Sequence, residues 1–183
     1  MAFVRRHIHT ENLIKHMIAT EAVMRSLAAH LDDDVEIWGL AGLVHDCDLE
    51  VVDGDPARHG TVGAAMLREL GLDERLCLAV ERHPGMADQQ PETPLEIGLR
   101  AADQVTGLVT AAALIHPSKS VAALKVKSLK KRMKEKRFAA GVDRDAIRLC
   151  EQIGVPLDEF LELSARAMDA IADQLGLDGR LAQ

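Results

Sequence analysis

The chain has no tyrosine, one tryptophan and three phenylalanines. Aromatic and β-branched residues build sheets, so this scarcity turns the expectation toward helices. It also leaves little surface for stacking on nucleobases. The three cysteines, Cys47, Cys77 and Cys150, are widely spaced, odd in number and form no Cys-x-x-Cys pair, a pattern that fits a reducing cytoplasm. No run approaches the roughly 18 apolar residues of a membrane span. Residues 1–9, with Arg5, Arg6, His7 and His9, hold no apolar h-region, so no signal peptide is expected. Also missing are a Gly-x-Ser-x-Gly elbow, a phosphate-cradling Gly-rich loop, a cysteine set in a nucleophile motif and any internal repeat.

What is present describes an ordinary soluble domain, with 48% hydrophobic and 28% charged residues. A length of 183 residues suits one well-buried domain, 1–183, and is short for two. Ala, Leu, Glu, Arg and Met are plentiful, so the expected fold class is all-α. The net charge of −7 argues against a general affinity for duplex nucleic acid. That charge is uneven, because Pro117 to Arg137 carries nine Lys or Arg against one acid, Glu135. The basic charge is therefore a local patch.

Apolar spacing predicts a helix from Thr10 through Leu31, with Leu13, Ile14, Met17, Ile18, Met24 and Leu27 at three- and four-residue steps. Asp32-Asp33-Asp34 breaks it and caps an almost wholly apolar second helix, Val35 to Val44, in which Gly39 and Gly42 permit close approach. Turn chemistry at Asp53-Gly54-Asp55-Pro56 reverses the chain and is expected to leave His45 and Asp46 at the rim of a cavity. A third helix follows His59-Gly60 and ends at Gly71, and a fourth runs from Asp73 to about Arg82. Residues 84–94, with three prolines, form a loop suited to a lid or rim. A long helix then covers Leu95 to Ile115. The basic segment is helical by periodicity through Val121, Leu124, Leu129 and Met133. Arg144–Ile153 and Pro156–Leu175 read as two packing helices.

Chemistry-bearing residues sit at intervals along this frame: His16, His45-Asp46, His59, His83 and Asp103. Imidazoles and carboxylates are the ligands of Zn, Mn, Fe and similar ions in hydrolytic sites. Each has a plainer explanation taken singly. His16 could be a hydrogen-bonded core residue, and His83 a cation resting on a helix C-terminus. Asp103 could pair with Arg100. His59, opening its helix, is expected to have a lowered pKa that keeps it neutral. Cys47 reads as a small buried hydrophobe. The lysines of the basic segment are a solvated face, or one or two of them turn inward to hold a phosphate.

Together the residues resemble the HD-domain superfamily of metal-dependent phosphohydrolases. The likeness is carried by Lys15-His16-Met17, Val44-His45-Asp46 and Ala101-Ala102-Asp103-Gln104, and spans residues 12 to about 110. His59, in His59-Gly60-Thr61-Val62-Gly63-Ala64, and His83, in Glu81-Arg82-His83-Pro84, look like the two extra histidines of the dinuclear branch. After Asp46 the chain reads Cys47-Asp48 in place of the Ile-Gly that names one subgroup, and the Gly-Tyr-Pro element of the cyclic-dinucleotide phosphodiesterases is absent.

The resemblance implies an HD-domain-like helical bundle with its metal-site core at about 10–116, extended by the basic segment and C-terminal helices at about 117–183. It implies one or two divalent ions (Mn, Fe, Ni, Co or Zn), with Asp46 bridging, His16, His45 and Asp103 on one ion and His59 and His83 on the other. A water between them would become the hydroxide that attacks a phosphomonoester or phosphodiester, with His45 and Asp46 at the catalytic centre. The expected partner is a nucleotide or another small phosphorylated molecule, with Arg100, Lys119, Lys125 and Lys127 as candidate phosphate contacts. Two other classes remain: a mixed-valent diiron oxygenase using the same ligands, and a non-catalytic nucleotide or metal sensor. Monomer and homodimer are equally open.

Overall fold

The computed structural model describes residues 1–87 and 89–180. Helix α1 spans Ala2–His7 and α2 spans Glu11–Leu31. Along α2, Ile14, Met17, Val23, Met24 and Leu27 are buried, the face that the apolar spacing predicts. The helix stops where Asp32 turns into the left-handed region with φ of 57°. Asp34 then caps α3, Val35–Val44, by accepting from the backbone N–H groups of Glu36 and Ile37, which satisfies two of the unpaired donors at the helix start. Helix α3 lies directly on α2. A Cβ on Gly42 would stand 2.8 Å from the backbone carbonyl of Thr20, so only glycine permits this approach.

After turns through residues 45–60 come α4, Thr61–Glu69, and α5, Glu74–Arg82, the latter capped by Asp73. Helix α6, Pro94–Ile115, starts with Pro94 in its first turn and a reciprocal cap between Thr93 and Glu96, both start signals. Its Leu99, Ala102, Val105, Leu108 and Val109 are buried in the common core, and the helix packs against α2, α3 and α5 as well as the later helices. Beyond it lie α7, Val126–Lys134, α8, Arg144–Arg148, α9, Leu157–Asp169, and α10, Ala172–Leu175. Phe160, Leu161 and Met168 of α9 join the same hydrophobic cluster as the side chains of α2 and α6. Among the described residues there is no strand, and the class is all-α, as the composition implies.

Three details depart from the sequence reading. Helix α1 was not foreseen; it docks through Val4 and Ile8, each 1% exposed, an apolar i, i+4 pair too short to stand out. The basic segment is not one helix. Ser120 makes an isolated bridge to Asp178 and the Val121 N–H donates to the Leu177 carbonyl at 2.9 Å, holding the chain extended before a single 3-10 turn at Val121–Ala123. The last helix, expected unbroken to Leu175, divides between Asp169 and Ala172, and the redirected chain is what meets Val121.

The Gly42 contact sets a stability test. Gly42→Ala drives a methyl into α2 backbone and should cost about 1–3 kcal/mol in urea denaturation. Gly39→Ala meets only the Arg25 side chain, which can move, and should stay within about 1 kcal/mol of wild type.

Candidate metal centre

His16 comes from the middle of α2 and Asp103 from α6, while His45 and His83 stand at the C-caps of α3 and α5. Asp46 follows His45, and His59 lies in the turn before α4. All six converge. Asp46 is at the middle: its Oδ2 lies 3.3 Å from His45 Nε2 and 3.5 Å from His16 Nε2. Its Oδ1 lies 3.3 Å from both His59 Nε2 and His83 Nε2. Asp103 Oδ1 sits 3.0 Å from His16 Nε2 and 3.7 Å from His45 Nε2.

The tautomers follow from the other ring nitrogens. His45 Nδ1 faces the Gly42 carbonyl at 2.9 Å and His83 Nδ1 faces the Val80 carbonyl at 2.6 Å. A carbonyl can only accept, so both hydrogens are on Nδ1. His59 Nδ1 donates to Asp48 Oδ1 at 2.9 Å. His16 Nδ1 meets Thr106 Oγ1 at 3.1 Å, and because that hydroxyl donates to the Asp103 carbonyl at 2.7 Å, it accepts from the ring. In the neutral rings every Nε2 is then a bare lone pair pointing at the centre. His16 Nε2 and His45 Nε2 are 3.2 Å apart, two lone pairs face to face, a contact that only a cation or a proton between them makes favourable.

Two residues that hold these rings were not assigned from the sequence. Asp48, fully buried, fixes His59 through one carboxylate oxygen and accepts from the backbone N–H groups of Gly60 and Gly63 through the other, both at 2.8 Å. Its signal was the Asp46-Cys47-Asp48 spacing. Thr106, three residues after Asp103, left no signal beyond lying one helical turn away.

The charges are strongly coupled. Burial would lower the pKa of His59, but the hydrogen-bonded carboxylates of Asp46 and Asp48 outweigh it and raise it from 6.5 to about 9. This reverses the expectation for that ring, because two carboxylates are nearer than the helix start. His45 is also raised, since Asp46 and Asp103 overcome its burial. His83 goes the other way, lowered chiefly by burial, so it is not the helix-end cation that was an alternative. Burial would raise Asp46 and Asp103, yet the surrounding imidazoles hold both well below the usual carboxylate range.

Other candidates lie elsewhere. His45 is fully buried and Asp46 6% exposed, deeper than the rim position expected. Arg100 does not pair with Asp103; it donates to the His83 carbonyl at 3.0 Å and to Asp143 at 3.4 Å. Lys119 donates to the Leu114 carbonyl. Lys125 and Lys127 line a surface groove of about 920 Å³ with His116, Lys130, Lys134 and Asp158, with no residue of the cluster among its walls. Cys47 is buried, and burial with the adjacent Asp48 and Asp46 pushes its thiol up to about 12.

An all-helical chain that gathers a His, a His-Asp pair and a later Asp defines a class, and the comparisons name it. The HD domain model matches residues 13–108, and the chain belongs to the HD domain family. It is 37% identical over 105 residues to the uncharacterized protein MJ0778 of Methanocaldococcus jannaschii, covering 55% of this chain and 60% of that one. It is 29% identical over 98 residues to ribonuclease Y of Nitratidesulfovibrio vulgaris, 54% of this chain and 18% of the relative. A tRNA (cytidine(56)-2'-O)-methyltransferase of Thermoplasma volcanium is 31% identical over 90 residues, 49% of this chain and 26% of that protein. The shared stretch is thus a part of each relative. The residues that match the HD domain model, 13–108, include all six clustered residues.

The charge coupling sets a second test. In metal-free protein His59 is protonated with a folded pKa above its ordinary value, so its contribution to stability is fully present below about pH 6.5. It is lost as pH rises through about 9. Urea denaturation across that range should show the decline in wild type and a smaller one in His59→Gln; equal slopes would refute the assignment.

Proposed function

We propose that the cluster holds two divalent transition metal ions and that the protein hydrolyses phosphate esters, with residues 1–183 acting as one domain. The observation that carries the metal reading is the 3.2 Å approach of His16 and His45 Nε2 with every Nδ1 hydrogen already engaged. The donor set fits. Ligands about 2.0–2.1 Å from one ion lie about 3.0–3.4 Å from one another, close to the spacings here. His16, His45 and Asp103 would serve one ion and His59 and His83 the other, with one oxygen of Asp46 for each. The identity of the metal is open among Mn, Fe, Ni, Co and Zn.

Bound ions supply Lewis acidity, bringing the pKa of a coordinated water toward neutrality and polarising phosphoryl oxygens. The chain's residues do the positioning. Asp48 and Thr106 fix the rings of His59 and His16, while the Gly42 and Val80 carbonyls fix those of His45 and His83. The Cys47 thiol, next to Asp46 in sequence, stays protonated at neutral pH and is not an activated nucleophile. The name ribonuclease Y lends weight to phosphoester cleavage as the reaction class.

The test is metal analysis with assays on aryl phosphates, diesters and nucleotides after loading with each ion. Asp46→Ala should lose both metals and fall to the activity of chelated protein. Asp48→Asn should retain the fold and lose about 10–100-fold in metal affinity at one site. Wild-type protein that binds no metal, or turns over no ester when loaded, would overturn the proposal, and oxygen uptake by the iron form would favour the oxygenase.

A further inference from the structure

The ligand cluster is closed on one side and open on another. The side chain of His45 is fully buried and that of His83 2% exposed, but His16 is 25% exposed and Asp103 17%. His59, in the turn before α4, is 14% exposed, and the two most exposed of these side chains, His16 and Asp103, lie along the seam between α2 and α6. A cavity of about 430 Å³ lies there, a size suited to a small metabolite. Asn12, Lys15, His16 and Ala19 of α2 form one wall, Gly107, Thr110, Ala111 and Leu114 of α6 another, and the turn at Leu175-Gly176-Leu177 the third. Since Asp103, Gly107, Thr110 and Leu114 recur at three- and four-residue steps, the cavity continues the metal-facing stripe of α6.

Lys15 is the one cationic side chain on these walls. Among the described residues no carboxylate lies within salt-bridge distance of it. Its ammonium occupies the space beside Gly176, where an added Cβ would stand 3.3 Å from Nζ. The bareness of Gly176 leaves room for that ammonium, and φ of 72° there disfavours any side chain. Apart from His16, the remaining walls are aliphatic or glycine, with Asn12 and Thr110 as neutral polar groups and no Phe, Tyr or Trp.

We propose that this cavity is the substrate pocket and that Lys15, helped by Asn12, binds a second anionic group of a small phosphorylated substrate whose ester phosphate sits at the cluster. The inference rests on the phosphohydrolase reading. It deepens that reading by naming the substrate class: a phosphomonoester with a short aliphatic or sugar-acid body and a carboxylate or second phosphate at its far end. Beyond the His16 imidazole, itself a cluster residue, the walls offer a nucleobase no ring to stack on.

The experiment compares wild type, Lys15→Met and Ala111→Phe, all loaded with the same metal, on p-nitrophenyl phosphate, 3-phosphoglycerate and a ribodinucleotide. Lys15→Met keeps the apolar stem and removes the charge. It should raise KM for 3-phosphoglycerate about tenfold, with kcat, metal content and KM for p-nitrophenyl phosphate changed less than about twofold. Ala111→Phe should raise KM for both monoesters by filling the pocket. Calorimetric titration of 3-phosphoglycerate into chelated protein gives a readout independent of turnover, and binding should weaken about tenfold in Lys15→Met. An unchanged KM and affinity in Lys15→Met would overturn the pocket assignment while leaving the metal reading intact. Preferential cleavage of the ribodinucleotide would overturn the small-substrate class. Wild-type protein inactive on all three but still binding 3-phosphoglycerate through Lys15 would sustain the pocket and sink the hydrolase.

Discussion

The arrangement depends on one kind of hydrogen bond, the Nδ1–H of a histidine tied back to a fixed acceptor. For His45 and His83 the acceptor is the carbonyl three residues earlier, Gly42 and Val80. Those carbonyls belong to the last turns of α3 and α5, where a helix leaves its final four acceptors unpaired. Each ring thus does two things at once: it closes a helix end and turns its Nε2 into the interior. The two rings stand 5.0 Å apart and 86° to each other, so two helix ends, each solving its own capping problem, aim two lone pairs at one carboxylate.

The rest of the fold brings those ends together and encloses them. Gly42 seats α3 against α2, which carries His16 in, and α6 lies across both with Asp103. Helix α9 packs on both α2 and α6, so a helix beyond residue 117 braces the seam that carries His16 and Asp103. Burying Asp46, Asp48 and Asp103 together is costly unless each is compensated. Asp48 is compensated within the chain, by one imidazole and two backbone N–H groups. Asp103 has the imidazoles of His16 and His45 at one oxygen and the Gln104 amide, 2.7 Å away, at the other, whereas among the described residues Asp46 has only imidazoles as side-chain partners.

The sequence carried the five helices that build the site, because their apolar stripes and the Asp34 and Asp73 caps are local signals. It also carried the six clustered residues, through the spacing of His and Asp along those helices. What it did not carry is non-local. The break in the basic segment comes from a bridge between Ser120 and Asp178, nearly sixty residues apart. Arg100 turns to the His83 carbonyl because Gly85, with φ of 69°, leaves space its guanidinium fills. Asp48 was legible only as a departure from a known motif. Its use is plain once the turn before α4 folds Gly60 and Gly63 onto it.

Protons placed on the cluster leave one of its contacts unrelieved, which favours the proposed metal reading over a buried ion-pair network. A proton on His45, whose pKa Asp46 and Asp103 raise, relieves its contact with His16 and pairs with both carboxylates. A second on His59 serves Asp46 Oδ1. His83 is left over: burial, with positive charge on His45 and His59, keeps it neutral, and its hydrogen is committed to Val80. Its lone pair then faces the lone pairs of Asp46 Oδ1 at 3.3 Å with nothing between. Moving that hydrogen to Nε2 would strand the Val80 carbonyl, which costs about 1–3 kcal/mol when buried. A divalent cation held by His59, His83 and Asp46 would remove the conflict without disturbing any Nδ1 bond, and His16, His45, Asp103 and Asp46 could hold another in the same way. The Nδ1 hydrogen bonds of the four rings leave these donor atoms free for such ions.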